Sequence, residues 1–523
     1  MSLKKTYLFA FYIFLFIGLL SATVLINGCK QKSNSSNLTL KLSGDAVADG
    51  KLLAQIYCSK CHAQVPVDAL PNDVWIYHTL PSMAHYFGLH AYLDGYFKQS
   101  ADTSGLTLLE YQDIVTYYKK MAPKTLPKAV RPVPLNSDWA GFSLKMPAPA
   151  IHPAFTTMVA FNPYNHKIYT SDYIYANLAE WNTNLMQQAT TSLPTAATGA
   201  LFEKEPSGAN QAILSCVGRL EPVDFPNGRV VNVNLDSITK KNNQTLIASD
   251  LARPVQTIAG DFDKDGLADL VVLGQGNMNG GVYLLKQNKD HTYTQTTITE
   301  QPGAVQAIAG DFNNDGWTDF MVLFGTGDEG LWLFTNDHKG GFISKNLLRF
   351  PPVYGSTSFQ LVDLDHDGKP DLIYTCGYNF RDSRIMKPYH GLYIFKNTGN
   401  WDFKQQWFFP IDGCTRAIAA DFDGNGHIDI ATSAFFADMQ TQPEESFIYF
   451  EQAGPFNFKP HAIPVSKYGR WFCMDVGDCN NDGKPDIILG NYSGGFLIQP
   501  DYKPNWNKNM PFIVLQNNLK KLK

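Results

Sequence analysis

Three patterns of apolar and polar positions follow one another along the chain. The first is an apolar run from Tyr7 to Ile26 behind Lys4 and Lys5. About 20 apolar residues suffice to span a bilayer, and a charged start before an apolar middle is also the layout of an export signal. The second pattern is helical. Gly50, Leu53 and Ile56 recur at helix spacing behind Ser43 and Asp45, residue types that cap helices. Leu108, Tyr111, Ile114, Val115 and Tyr118 share a helix face behind Thr107-Leu108-Leu109-Glu110, a capping box, and Pro123 follows its end. The third pattern is a long series of short apolar runs of strand length, such as Val255 to Ala259, Leu270 to Leu273, Gly281 to Leu285 and Gly330 to Phe334, separated by turn residues. Between the second and third patterns, residues 123 to 153 hold seven prolines and little periodicity, as a stiff linker or a strap across the following domain does.

The strand series is periodic. Asp261-Phe262-Asp263-Lys264-Asp265-Gly266-Leu267-Ala268-Asp269 returns in copies starting at Asp311, Asp363, Asp421 and Asp478, at spacings of 50, 52, 58 and 57 residues. A repeat of this length with about four strands predicts propeller blades. Within each copy, oxygen side chains alternate around a glycine turn, as in an EF-hand loop that surrounds one hard cation. The strand–loop–strand setting excludes an EF-hand. The pattern predicts calcium at Asp261, Asp263, Asp265 and Asp269; Asp311, Asn313, Asp315 and Asp319; Asp363, Asp365, Asp367 and Asp371; Asp421, Asp423, Asn425 and Asp429; and Asp478, Asn480, Asp482 and Asp486. The competing reading is that Asp and Asn only make turns there.

Composition narrows the function. The chain has 523 residues, more than one ordinary core, with 44% hydrophobic and 13% aromatic residues, 41 Gly and 30 Pro. The formal charge is −5 and no long basic run follows the N-terminus, which argues against nucleic acid as a partner.

Tyr57-Cys58-Ser59-Lys60-Cys61-His62 carries Cys-x-x-Cys-His, the haem-attachment pattern of c-type cytochromes. Two thiols at this spacing reach both vinyl groups of one porphyrin, and the next residue sets an imidazole under the iron. A zinc site would need a second Cys/His pair nearby, and a thioredoxin-like motif a βαβ setting; neither is present. The expectation is covalent haem on Cys58 and Cys61 with His62 as axial ligand. For the second axial position Met83 is preferred, with Met121, His78, His85 and His90 as alternatives. In c-type cytochromes the first and last helices cross, a small residue meeting an aromatic one; Gly50 and Tyr117 or Tyr118 fit that contact.

The run Leu25-Ile26-Asn27-Gly28-Cys29 resembles a bacterial lipoprotein signal, with Cys29 as the lipidated residue and Lys30 to Asn37 as a flexible tether; an uncleaved membrane helix is the alternative. The Asp repeats resemble the FG-GAP or VCBS repeats of integrin-like β-propellers over roughly residues 155–517. Two eroded copies, Val159 to Tyr169 and Leu220 to Gly228, precede the five clear ones, so the resemblance implies seven blades, with Phe512 to Leu515 closing the ring. The whole order resembles a family of bacterial cell-envelope proteins, similar also around Leu80-Pro81-Ser82-Met83, Lys387-Pro388-Tyr389-His390-Gly391 and Pro443-Glu444-Glu445. The expected organisation is multidomain: signal peptide 1–28, tether 29–42, a small all-α cytochrome c domain 43–122, a Pro-rich linker 123–154, and an all-β, seven-bladed propeller 155–523.

Three functions fit. The first is a membrane-anchored electron carrier of the cell envelope, with haem c and calcium as cofactors and a redox partner docked on the propeller. The second is a propeller oxidoreductase of the sugar or alcohol dehydrogenase type that feeds the haem. The third is a glycan-binding or adhesion lipoprotein. The insertion Cys376 to His390, with Arg381, Arg384, Lys387, Tyr389 and His390, either binds a ligand or packs against its neighbours. Arg416 and Arg470 begin inner strands near the channel. Of Cys216, Cys376, Cys414, Cys473 and Cys479, Cys376 and Cys414 are the preferred disulfide pair, buried free thiols being the competing reading.

Overall fold

The computed structural model describes residues 41–91, 97–99, 105–205, 207–379, 385–495, 497, 499 and 501–519. The expected signal, Cys29 and most of the tether lie outside these residues, as do Arg381 and Arg384. The chain divides into two compact units, Met1–Asp45 and Ala46–Lys523. In the first, the Asp45 backbone N–H donates to Ser43 Oγ (3.1 Å). No helix among the described residues is long and apolar enough to cross a membrane. Everything below concerns the second unit.

It begins with four helices, α1 (Ala46–Tyr57), α2 (Asn72–Val74), α3 (Leu80–Ala84) and α4 (Leu108–Met121), but the segment is not the separate all-α domain expected: a two-stranded antiparallel ribbon, Leu89–Ala91 with Phe97–Gln99, lies between α3 and α4, and the helices belong to the same compact unit as the propeller. A π-turn (Trp75–Thr79) joins α2 to α3, and a 3-10 turn (Cys58–Lys60) follows α1. The expected capping box is formed: Thr107 Oγ1 accepts from the Glu110 N–H, and Glu110 reaches back to the Thr107 N–H (2.7 Å). α1 and α4 cross at Gly50. A Cβ there would lie 2.0 Å from the Asp113 carbonyl oxygen and 2.9 Å from Tyr117 Cβ, so only glycine permits the approach.

Seven antiparallel sheets of four strands follow, each pairing in sequence order apart from the additions noted below. Blade 1 runs from Thr156 to Ser192, blade 2 from Ala197 to Leu251, blade 3 from Pro254 to Thr299, blade 4 from Ala304 to Arg349, blade 5 from Ser356 to Pro410, blade 6 from Arg416 to Ala462, and blade 7 begins at Trp471. One hydrophobic cluster fills each of the seven blade interfaces. The second strand of blade 4 shows why these runs are continuously apolar. Phe320, Val322 and Phe324 pack toward blade 3, whereas Met321 and Leu323 pack toward blade 5.

The Pro-rich stretch is a strap built into the ring. Its residues Asn136–Ser137 add a parallel strand to the outer edge of blade 6. Its strand Phe142–Lys145 pairs antiparallel with Phe512–Asn517 and supplies the fourth strand of blade 7. Phe512–Asn517 therefore closes the ring together with a strand from the other side of the propeller sequence. Arg131 of the strap pairs with buried Glu445 of blade 6.

One expected feature is corrected. Leu220 to Gly228 is not an eroded copy of the Asp loop. It lies between the second and third strands of blade 2, Asn210–Cys216 and Gly228–Asn234, whereas the Asp loops join first and second strands. Pro, Asp and Gly make turns at both ends of a blade, so composition alone does not separate them. The count of seven blades is unaffected.

Candidate functional site

In an antiparallel blade, connections 1–2 and 3–4 share one end, and 2–3 and 4–1 share the other. The five Asp loops are 1–2 connections. They share one backbone form: position 4 is left-handed (Lys264, Asn314, His366, Gly424, Asn481) and so is the glycine at position 6, with φ from 79° to 92°. The first Asp accepts from that glycine's N–H at 2.8–3.1 Å in every loop. The Asp at position 9 is buried. Its Oδ1 accepts a third-strand N–H at 2.8–2.9 Å, from Gln287, Asn336, Asn397, Gln452 and Asn517 in turn. Burial raises these carboxyls, to about 6 for Asp429 and Asp486. Each accepting oxygen keeps a second lone pair.

The carboxylates of Asp261, Asp263 and Asp265 converge within 4.8 Å, as do those of Asp363, Asp365 and Asp371. Lys286 pairs with Asp263, Lys396 with Asp365 and Asp367, and His338 with Asp315 (2.9 Å). The loops of blades 6 and 7 have no such basic partner among the described residues. The loops also fasten neighbouring blades, which sequence reasoning missed. The carbonyl at position 2 accepts from the next blade: Phe262 from Asn336, Phe312 from Trp401, Leu364 from Gln452 and Phe422 from Asn517.

The helical segment meets the opposite end of the ring. Tyr389 Oη donates to the Ala69 carbonyl (3.0 Å), and Tyr86 Oη contacts Met278 Sδ (3.4 Å). The described part of the Cys376–His390 insertion thus packs against the helical segment, with Lys387 and His390 buried. Between helices and rim lies a cavity of about 720 Å³, within the ~300–1,000 Å³ usual for ligand and cofactor sites. Cys58, Cys61, His62 and Met83 all line it. Val65, Trp75, Leu80, Tyr111, Ile114 and Tyr118 give it an apolar wall. Of the other candidate axial ligands, His85 lines the cavity, whereas Met121, His78 and His90 are not among its lining residues.

His62 Nδ1 lies 2.8 Å from the Ala63 carbonyl oxygen. A carbonyl only accepts, so Nδ1 carries a proton, and in the neutral ring Nε2 is then the nitrogen left with a lone pair. Burial, and secondarily Cys61, pushes the Cys58 thiol up to about 11. A reactive or zinc-binding cysteine has the opposite tendency.

The far wall is the rim of blades 3 to 5, and two acidic residues shape it. Asp224, in the 2–3 connection of blade 2, accepts at Oδ1 from the backbone N–H groups of Asn277, Met278 and Asn279 (2.7–3.0 Å). Glu329 is 1% exposed and lines the cavity itself.

Arg416 Nη1 reaches Gln306 Oε1 (3.4 Å) two blades away, which places it in the central channel. Arg470 instead stacks on Phe435, 3.7 Å from the ring centre. Cys376 and Cys414 are both buried free thiols, as is Cys216; every cysteine among the described residues is free.

Fold and loops together define a seven-bladed β-propeller. The model of the FG-GAP-like repeat matches residues 261–322 and 311–374, so the chain carries FG-GAP-like repeats. Among solved structures, an ancestral GH74 enzyme is similar at 9% identity and a TM-score of 0.47, covering 75% of this chain and 51% of that one. The chain thus spans about half the length of that enzyme. BBS1N in complex with ARL6DN is similar at 9% identity and a TM-score of 0.44, covering 74% and 100%. Virginiamycin B lyase from Staphylococcus aureus follows at 10% identity and 0.44, covering 72% and 99%. No curated protein matches the chain.

Proposed function

We propose that this is a c-type cytochrome of the cell envelope, anchored through a lipid on Cys29, that carries electrons through one covalent haem and uses its propeller as a calcium-dependent scaffold and docking module. The observation that carries this reading is the convergence of Cys58, Cys61, His62 and Met83 on one largely apolar cavity. The donor set suits the group. Two thiols stand where thioether bonds form, the Cys58 thiol pushed up by burial, and a neutral imidazole with Nδ1 tied to a carbonyl is the form that ligates a metal through Nε2. The Gly50–Tyr117 crossing is the close helix contact expected of this class. When bound, the haem supplies one-electron chemistry at iron. The chain's own residues orient the imidazole, exclude water through Trp75, Tyr111 and Tyr118, and offer Met83 on the cavity wall. The test is the purified protein from a host competent for cytochrome maturation. A Soret band and a porphyrin-sized mass increment support the reading, and a colourless protein without that mass overturns it.

Met83 is assigned as the second axial ligand, because it alone among the candidate thioethers lines the cavity. Met83→Ala is expected to abolish the thioether-to-iron charge-transfer band of the oxidised protein and to lower the reduction potential, since a thioether ligand raises it. A band that survives the substitution assigns the position to another residue.

Calcium is assigned to the Asp loops because five loops share one backbone and one donor order. Binding to the native state alone raises the melting midpoint, so calcium is expected to raise it by several degrees and a chelator to lower it. The loops of blades 6 and 7 are expected to bind most tightly, because in blades 3 and 5 the ion must displace Lys286 or Lys396. Equal midpoints with and without chelator would remove calcium from the reading.

A further inference from the structure

The far wall of the cavity holds a buried acid that the haem reading does not use. Glu329, in the connection after the second strand of blade 4, accepts at Oε2 from the Ser356 N–H (3.0 Å) and Ser356 Oγ (2.8 Å), and at Oε1 from the Gly355 N–H (3.2 Å). Oε2 is thus saturated, and Oε1 keeps one lone pair. Gly355 lines the same cavity. The carboxyl is therefore held rigidly, out of water, in the wall that faces Cys58, Cys61 and His62.

We propose that the rim of blades 3 to 5 forms the second wall of the haem site, and that Glu329 in this wall takes up a proton when the iron is reduced. The proposal rests on the haem reading above and makes the propeller part of the redox centre as well as a docking surface. An oxidised iron porphyrin carries one more positive charge than a reduced one, and beside a carboxyl that is itself buried from water that charge favours the carboxylate. On reduction, one electron passes to the iron from a one-electron donor, a reduced haem or copper protein. One proton passes from solvent to Glu329 Oε1, and the net charge of the cavity is unchanged.

The surroundings leave Glu329 as the group that changes charge on this wall. Burial is the larger influence and outweighs its hydrogen-bond donors and the Lys387 ammonium, so that the carboxyl is pushed up to about 8. Lys387 donates to the Val353 carbonyl (3.2 Å), and its positive charge opposes the rise of the Glu329 carboxyl. Burial pushes Tyr374, Cys376 and Tyr389 upward, with the Glu329 charge adding to each, so they stay neutral. His390 is held neutral by burial and by Lys387. Asp328 is tied to Arg349 (2.5 Å). His85 stands on the helical side of the cavity, and its replacement serves as the control.

The test is mediated potentiometry of the holoprotein from pH 5.5 to 9.5. In the wild type the midpoint potential is expected to fall as pH rises around pH 8, with a slope approaching ~59 mV for each tenfold change in proton concentration. Glu329→Gln, whose one carbonyl oxygen can keep the two Ser356 donors while its NH2 takes the place of Oε1, is expected to flatten that slope, and His85→Asn to retain it. Reduction of the wild type should also produce an infrared band of a protonated carboxyl that Glu329→Gln lacks. The infrared difference on the wild type decides the matter if the variant fails to fold. A coloured protein with a flat profile, a slope that persists in Glu329→Gln, or a slope lost only in His85→Asn overturns the proposal and leaves the haem reading standing. A colourless protein overturns both.

Discussion

Cys58→Ala/Cys61→Ala protein is expected to leave a maturation-competent host without covalent haem, losing the whole Soret absorbance and the porphyrin mass, while its propeller still folds. The physical case rests on what remains. Without the two sulfurs, the porphyrin is held by one imidazole and by apolar contact with Trp75, Leu80, Ile114 and Tyr118. The blade rim that forms the other wall offers no anchoring cysteine, since Cys58 and Cys61 are the cysteines lining the cavity and Cys376 is fully buried in blade 5. The propeller cores lie at the blade interfaces and contain none of these residues. Calcium-dependent melting of the double variant should therefore match the wild type. Retention of the full porphyrin mass, read by denaturing mass spectrometry, would show that Cys58 and Cys61 do not carry the group.

Gly50→Val is expected to cost about 3 kcal/mol or more and to loosen the same cavity from behind. Overpacking a well-filled contact ordinarily costs about 1–3 kcal/mol. Here the added Cβ would lie 2.0 Å from the Asp113 carbonyl oxygen and 2.5 Å from its carbon. These are backbone atoms, which cannot rotate away, so the helices must separate. α4 carries Tyr111, Ile114 and Tyr118 into the cavity wall, and Trp75 packs 4.1 Å from Tyr118. Separation therefore exposes the wall to water. Denaturant unfolding followed at the haem and by far-UV dichroism checks this: the haem transition should move to lower denaturant while the sheet transition holds. Gly50→Ala should move it the same way by less. An unchanged haem transition would mean that α1 and α4 do not meet at Gly50.

What was legible in the chain was what is encoded locally or by repetition. The Thr107–Glu110 capping box and the five Asp loops follow from spacing within a few residues or from a period, whereas the contact of Gly50 with Tyr117 or Tyr118 was expected only from the resemblance to c-type cytochromes. What was not legible depends on partners far apart. The strap strand Phe142–Lys145 has four residues, and its partner Phe512–Asn517 lies about 370 positions away; nothing in so short a run encodes a register. The role of Asp224 was hidden for the same reason, since its three N–H partners are more than 50 residues on. Glu329 sits in Gly327-Asp328-Glu329-Gly330, which reads as an ordinary polar turn. Its character comes from Ser356 and Gly355 of the next blade and from burial.

The shared seventh blade has a consequence for biogenesis. Its outermost strand is synthesised long before the other three, and at about 5–20 residues per second the ribosome spends on the order of half a minute on the chain between them. Until residues 512–517 arrive, Asp486–Asn491 of blade 7 and the strap strand Phe142–Lys145 both lack their shared partner and present unpaired edges of the kind that aggregate. A chain cut before residue 512 is therefore expected to leave Asp486–Asn491 and Phe142–Lys145 without the strand that joins them, and to be digested faster than the intact protein in limited proteolysis.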